Sequence, residues 1–132
     1  MTAEAFLDTN VLIYAVSAAP SERSKQAVAR QLIEAGGFGT SVQCLAEFYV
    51  NATRKLKQPL SPHHALKFSE GLPDAPIIEV TQPLQLEAIA LSVRYQISYR
   101  DAAVVAAAIE LGVNRLFSED LRMVRFTKAS RL

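Results

Sequence analysis

Residues 5–13 read Ala5-Phe6-Leu7-Asp8-Thr9-Asn10-Val11-Leu12-Ile13, and this stretch decides the fold class. Ala5 to Leu7 form a short apolar strand that stops at Asp8, and Thr9 and Asn10 offer capping side chains to an apolar segment from Val11 to Val16. Asp8 therefore falls at a strand-to-helix junction. A carboxylate there is costly to bury unless a cation or hydrogen-bond donors compensate. It is read either as a helix-capping aspartate or as part of a site.

The same alternation continues along the chain. Pro20-Ser21-Glu22 opens a second helix, whose Ala27, Val28, Gln31, Leu32 and Ala35 recur at helical spacing until Gly36-Gly37 ends it. Phe38 to Thr40 is the next strand, and Ser41 caps a helix from Val42 to about Lys57, before Pro59. Ser61-Pro62 starts a short helix with proline at its first position. Ile77 to Val80 is the third strand, and Pro83 begins a helix to about Gln96 with Leu86, Ile89, Ala90 and Val93 on one stripe. Ser98 begins a further helix ending at Gly112, and Arg115 to Ser118 is the fourth strand. Strands separated by helices are βαβ units, so the fold class is α/β, with a parallel sheet covered on both faces. Ligands of such folds bind outside the carboxyl ends of the strands. Asp8 and Asp120 both fall there.

Composition narrows the function classes without choosing one. A chain of 132 residues is expected to be a single domain over 1–132, and it is long enough for a self-sufficient core. Half of the residues are hydrophobic and 20% are charged, which places it far from disordered sequences. The formal net charge of +1 argues neither for nor against nucleic acid. From Gly112 onward, however, Arg115, Arg122, Arg125, Lys128 and Arg131 outnumber Glu119 and Asp120, an excess that suits phosphate as well as a solvated tail. Cys44 is the only cysteine, so no internal disulfide forms, and its apolar surroundings suggest burial. Neither a secretory leader nor a run of about 18 apolar residues is present, so a cytoplasmic protein without membrane spans is expected.

Three further acidic stations share this ambiguity. Asp101 opens a helix whose next eight residues are small or apolar, and Ser98-x-x-Asp101 also fits a capping box. Glu47 lies on a polar helical stripe with Gln43, Asn51 and Arg54, which suits a plain solvent face as well as a site. Ser118-Glu119-Asp120 follows the fourth strand, where either carboxylate is a ligand or an exposed turn residue. His63 and His64 are adjacent and so point to different sides of a helix, a poor geometry for one metal. No Cys-x-x-Cys pair, phosphate-binding glycine loop, Gly-x-Ser-x-Gly elbow or His-Glu-x-x-His motif occurs. Nucleophilic serine, cysteine and zinc mechanisms lack support.

Taken in order, Phe6-Leu7-Asp8-Thr9-Asn10-Val11-Leu12-Ile13, mid-helix Glu47, Ser98-Tyr99-Arg100-Asp101-Ala102-Ala103 and Ser118-Glu119-Asp120-Leu121 resemble the PIN-domain family, in particular the VapC-type toxins of bacterial toxin-antitoxin modules. The resemblance spans nearly the whole chain. It implies a three-layer α/β/α sandwich with a short, mainly parallel central sheet, whose acids bind Mg2+ or Mn2+ to hydrolyse an RNA phosphodiester. Asp8, Glu47, Asp101 and Asp120 would be the catalytic and metal-binding acids, supported by Thr9, Asn10, Ser118 and Glu119. Arg122 and Arg125 would contact RNA, and the family implies a homodimer and a small antitoxin partner.

Two departures from the pattern stand out. Family members commonly continue past the fourth acidic station into a last edge strand, which is expected to be short, altered or missing here, where Val124 to Leu132 follow. Glu119 also stands beside Asp120, so either residue fits the fourth station. Two other readings compete. Asp8-Thr9-Asn10 is faintly similar to the aspartyl-phosphate motif of haloacid dehalogenase phosphatases, although Asn10 stands where those enzymes need a second aspartate. The other is a PIN-like module that binds RNA or protein without cutting.

Overall fold

The structure, a computed structural model, describes residues 3–72, 74–118, 121 and 123–125. Its elements run β1 (Ala5–Leu7), α1 (Thr9–Val16), a 3-10 turn (Pro20–Glu22), α2 (Arg23–Ala35), β2 (Phe38–Ser41), α3 (Val42–Arg54), α4 (Pro62–Glu70), β3 (Ile77–Ile78), α5 (Gln82–Tyr95), α6 (Tyr99–Leu111), β4 (Arg115–Phe117) and β5 (Met123–Arg125). The strands lie in the order β3-β2-β1-β4-β5. All neighbours are parallel except the β4–β5 pair.

Period-two alternation assigns each sheet residue to a layer. Phe6 and Leu116 face Val104, Ala107 and Ala108 of α6. Leu7 faces the opposite way, toward Val11 and Ala15 of α1 and Ala29 of α2. Ala88 and Leu91 then seat α5 on Ala102, Ala103 and Ala106 of α6, while Phe48 of α3 packs with Leu12 of α1 and Ala65 of α4. The result is the three-layer α/β/α sandwich, with α5 and α6 on one face and α1 to α4 on the other. The absence of a side chain at Gly39 of β2 allows close approach: a Cβ there would lie 2.9 Å from the Pro76 carbonyl and 2.5 Å from a Leu111 methyl of α6.

Some boundaries differ from the sequence expectation, each for a local reason. Asp8 itself caps α1, its carboxylate accepting from the Thr9 amide, so the helix begins two residues before Val11. Helix α3 stops at Arg54 rather than near Lys57. There the Leu60 amide takes the Ala52 carbonyl, which turns the chain and lets Leu56 and Leu60 cover the Phe48 cluster. Strand β3 is two residues long, and Val80 beyond it is 54% exposed. Leu86, Ile89 and Val93 do not face the core: α5 packs through Ala88 and Leu91, leaving that stripe on the surface. The last edge strand exists as the three-residue, exposed β5.

The parallel register decides where chemistry collects. Leu7 pairs with Phe117, so β1 and β4 end together, and the Asp8 amide donates to the Phe117 carbonyl at 3.0 Å. Asp8 and Ser118 are thus the first residues beyond adjacent strand ends. Among the described residues, no helix is long and apolar enough to cross a membrane.

Candidate active site

Asp8 is 1% exposed, so its charge needs compensation from the protein. Four groups supply it. The Thr9 amide donates to Oδ1 at 2.6 Å and the Ser118 hydroxyl to Oδ2 at 3.0 Å. Arg100 donates a fork, Nη1 to Oδ2 at 2.9 Å and Nη2 to Oδ1 at 2.7 Å. The Cys44 thiol lies 3.7 Å from Oδ1 as a weak donor. Burial, then the charge of Asp8, pushes this thiol's pKa up, so Cys44 is a protonated packing residue and not a nucleophile.

Glu47 reaches the same cation from the opposite side. Arg100 Nε and Nη2 donate to Glu47 Oε2 at 3.2 and 3.1 Å, and Gln43 donates to Oε1 at 3.2 Å. The polar stripe of α3 is therefore divided in function: Gln43 and Glu47 turn toward Asp8, with Glu47 half-buried. Phe48, the next residue, fixes that rotation by stacking on Phe68 with ring centroids 4.8 Å apart. Thr9 is buried and donates to the Cys44 carbonyl at 3.3 Å, tying α1 to the start of α3. Asn10 is half-buried at the second residue of α1.

Asp101 combines both sequence readings. The Ser98 hydroxyl accepts from its amide at 3.0 Å, the capping half of the box. Its own carboxylate is 63% exposed and lies 3.6 Å from Arg100 Nη1. Arg100 thus touches three of the four expected acids. Burial opposes the guanidinium's charge, but the hydrogen bonds and charges of Asp8, and then of Glu47, outweigh it and hold its pKa above the ordinary arginine value.

Glu119, Asp120 and Arg122 lie outside the described residues. Arg125 is exposed on β5 opposite Arg115, at the end of β4 away from Asp8. His63 and His64 are exposed side by side on α4, with ring centroids 5.9 Å apart. Arg100 is the residue that the sequence reading passed over. A signal was present: a cation at the second position of a helix meets the positive end of the dipole, so it needs a compensating anion.

The donor set fits a hard divalent ion. Asp8 and Glu47 offer carboxylate oxygens and Ser118 a hydroxyl, and magnesium needs only one or two carboxylates because it keeps several waters. Both carboxylates already bond one guanidinium nitrogen, so they converge on a common cation. Among the described residues, no three His, Cys, Asp or Glu side chains form a metal-holding group unaided.

Comparison with solved structures places the fold. VapC20 of Mycobacterium tuberculosis, a sarcin-ricin loop cleaving toxin, is similar with a TM-score of 0.69 and 19% identity, over 89% of this chain and 90% of that one. A toxin-antitoxin complex from Klebsiella pneumoniae contains a chain similar with a TM-score of 0.64 and 24% identity, over 89% and 87% of the two chains. No curated protein matches the sequence. The PIN domain family model matches residues 5–129, nearly the whole described sandwich and all four acidic stations, and the chain belongs to the PIN domain family.

Proposed function

We propose that this chain is a Mg2+- or Mn2+-dependent endoribonuclease, the toxin of a toxin-antitoxin pair. The observation that carries this reading is the convergence of Asp8, at the end of β1, and Glu47, from α3, on one cation. Asp8, Glu47 and Asp101 are the catalytic acids in this proposal, with Asp120 or Glu119 completing the set. Bound there, the divalent ion would lower the pKa of a water and offset charge on an RNA phosphate. The chain's own part is positional. Thr9 and Ser118 hold the Asp8 carboxylate, Gln43 holds Glu47, and the cap on α6 sets Asp101 at the rim.

The structural neighbours, a sarcin-ricin loop cleaving toxin and a toxin-antitoxin complex, support RNA as substrate and a small antitoxin as partner. The exposed apolar residues Leu86, Ile89 and Val93 on α5 support pairing of two copies as a homodimer. Family membership removes the ground for the haloacid dehalogenase comparison.

Purified protein is expected to cleave single-stranded RNA oligonucleotides with Mg2+ or Mn2+, to lose activity in excess chelator, and to regain it when metal is returned. Full cleavage after exhaustive chelation would sink the metal-dependent reading. Arg122 and Arg125 are proposed phosphate contacts outside the acidic centre. Neutralising both should weaken RNA binding and lower the slope of log affinity against log salt by about 2, roughly one per lost phosphate contact. An unchanged slope would return them to the solvated surface.

A further inference from the structure

We infer that Arg100 is a built-in counter-cation that occupies the metal position of the acidic centre, so that a divalent ion enters only by displacing its guanidinium. This rests on the metal-dependent reading above and concerns what the chain does before metal arrives. Three observations carry it. Arg100 forms a bidentate fork with buried Asp8 and two bonds to Glu47, and it lies 3.6 Å from Asp101, so a single cation pairs with acids drawn from the end of β1, from α3 and from α6. Nη2 bonds both Asp8 Oδ1 at 2.7 Å and Glu47 Oε2 at 3.1 Å, so these two carboxylate oxygens lie within reach of one cationic atom. Finally, the Arg100 side chain is 35% exposed, on the first turn of α6, so an outward path to solvent exists for a flexible stem.

The consequence follows from competition. Lone pairs on Asp8 and Glu47 that accept from the guanidinium are not free for a metal, so the apparent metal affinity is the intrinsic affinity reduced by the fraction of molecules with the fork open. The same contacts stabilise the metal-free protein by reducing repulsion among the acids. Arg100 thereby exchanges metal affinity for metal-free stability. Once displaced, the guanidinium remains at the mouth of the site, where an anionic phosphate would arrive.

The test is Mn2+ binding by titration calorimetry, together with thermal melting in chelator and in saturating Mn2+, for the wild type, Arg100→Gln and Arg100→Lys. Arg100→Gln is expected to bind Mn2+ on the order of tenfold more tightly, to melt lower in chelator, and to gain more from Mn2+ than the wild type. Arg100→Lys keeps the charge but not the planar fork, so its affinity should fall between the two. If charge alone mattered, Arg100→Lys would match the wild type, and displacement of a fork would be wrong. Equal or weaker binding by folded Arg100→Gln would overturn the inference while leaving the metal reading intact. Absence of Mn2+ binding in all three proteins would sink the metal reading and this inference with it.

Discussion

Asp8→Asn is expected to reduce RNA cleavage roughly a thousandfold, the effect of losing ~4 kcal/mol of metal-supplied transition-state stabilisation. The change is nearly isosteric, and the Thr9 amide can still donate to the remaining carbonyl oxygen. Arg100 cannot keep its fork, because one acceptor becomes an amide donor. Hydrogen bonds to charged groups contribute about 1.5–3 kcal/mol, and partial exposure of Arg100 reduces that, so a loss of ~1–2 kcal/mol is expected in metal-free protein. Melting in chelator should fall by several degrees, and added Mg2+ should restore little. A bare acidic cluster predicts the reverse, because removing one charge would then relieve repulsion and raise the melting temperature. The sign of the shift in chelator therefore tests Arg100 pairing separately from catalysis. An active Asp8→Asn enzyme would remove Asp8 from the site.

The second large effect is on stability. Phe48→Ala is expected to cost about 3–4 kcal/mol, since it deletes a fully buried ring that stacks on Phe68 and packs against Leu12, Ala52 and Ala65. That is a large part of the 5–15 kcal/mol typical of a domain. The urea midpoint should fall with little change in slope, and a cost under about 1 kcal/mol would mean that the cluster collapses around the gap. Because Phe48 adjoins Glu47, whatever folded protein remains should also bind Mn2+ more weakly. Phe68→Leu keeps an apolar partner beneath Phe48 and should cost less, so the two variants separate loss of the ring from loss of the stack.

The sequence by itself determined the alternation of strands and helices, because periodicity and capping are local. Asp8 at a strand end, Ser41 and Ser98 as caps and Gly112 as a helix stop are all legible within a few neighbours. It also supplied the order of the acidic stations, on which the family resemblance rested, and the family match covers them all. What periodicity could not supply was partnership. The stripe on α5 was legible as apolar, yet which helix face α6 would cover depends on the small residues Ala102, Ala103 and Ala106 across the interface. Glu47 has equal claims to solvent and to a site until the register of β1 beside β2, which α3 follows, and the packing of Phe48 turn α3 toward Asp8. Arg100 lies 92 residues from Asp8 and 53 from Glu47, and no local rule links a charge to anions so distant in the chain. Only tertiary structure joins them, because a buried carboxylate is tolerated only where the fold delivers hydrogen-bond donors or a cation to it, and here the cation that the fold delivers is the chain's own.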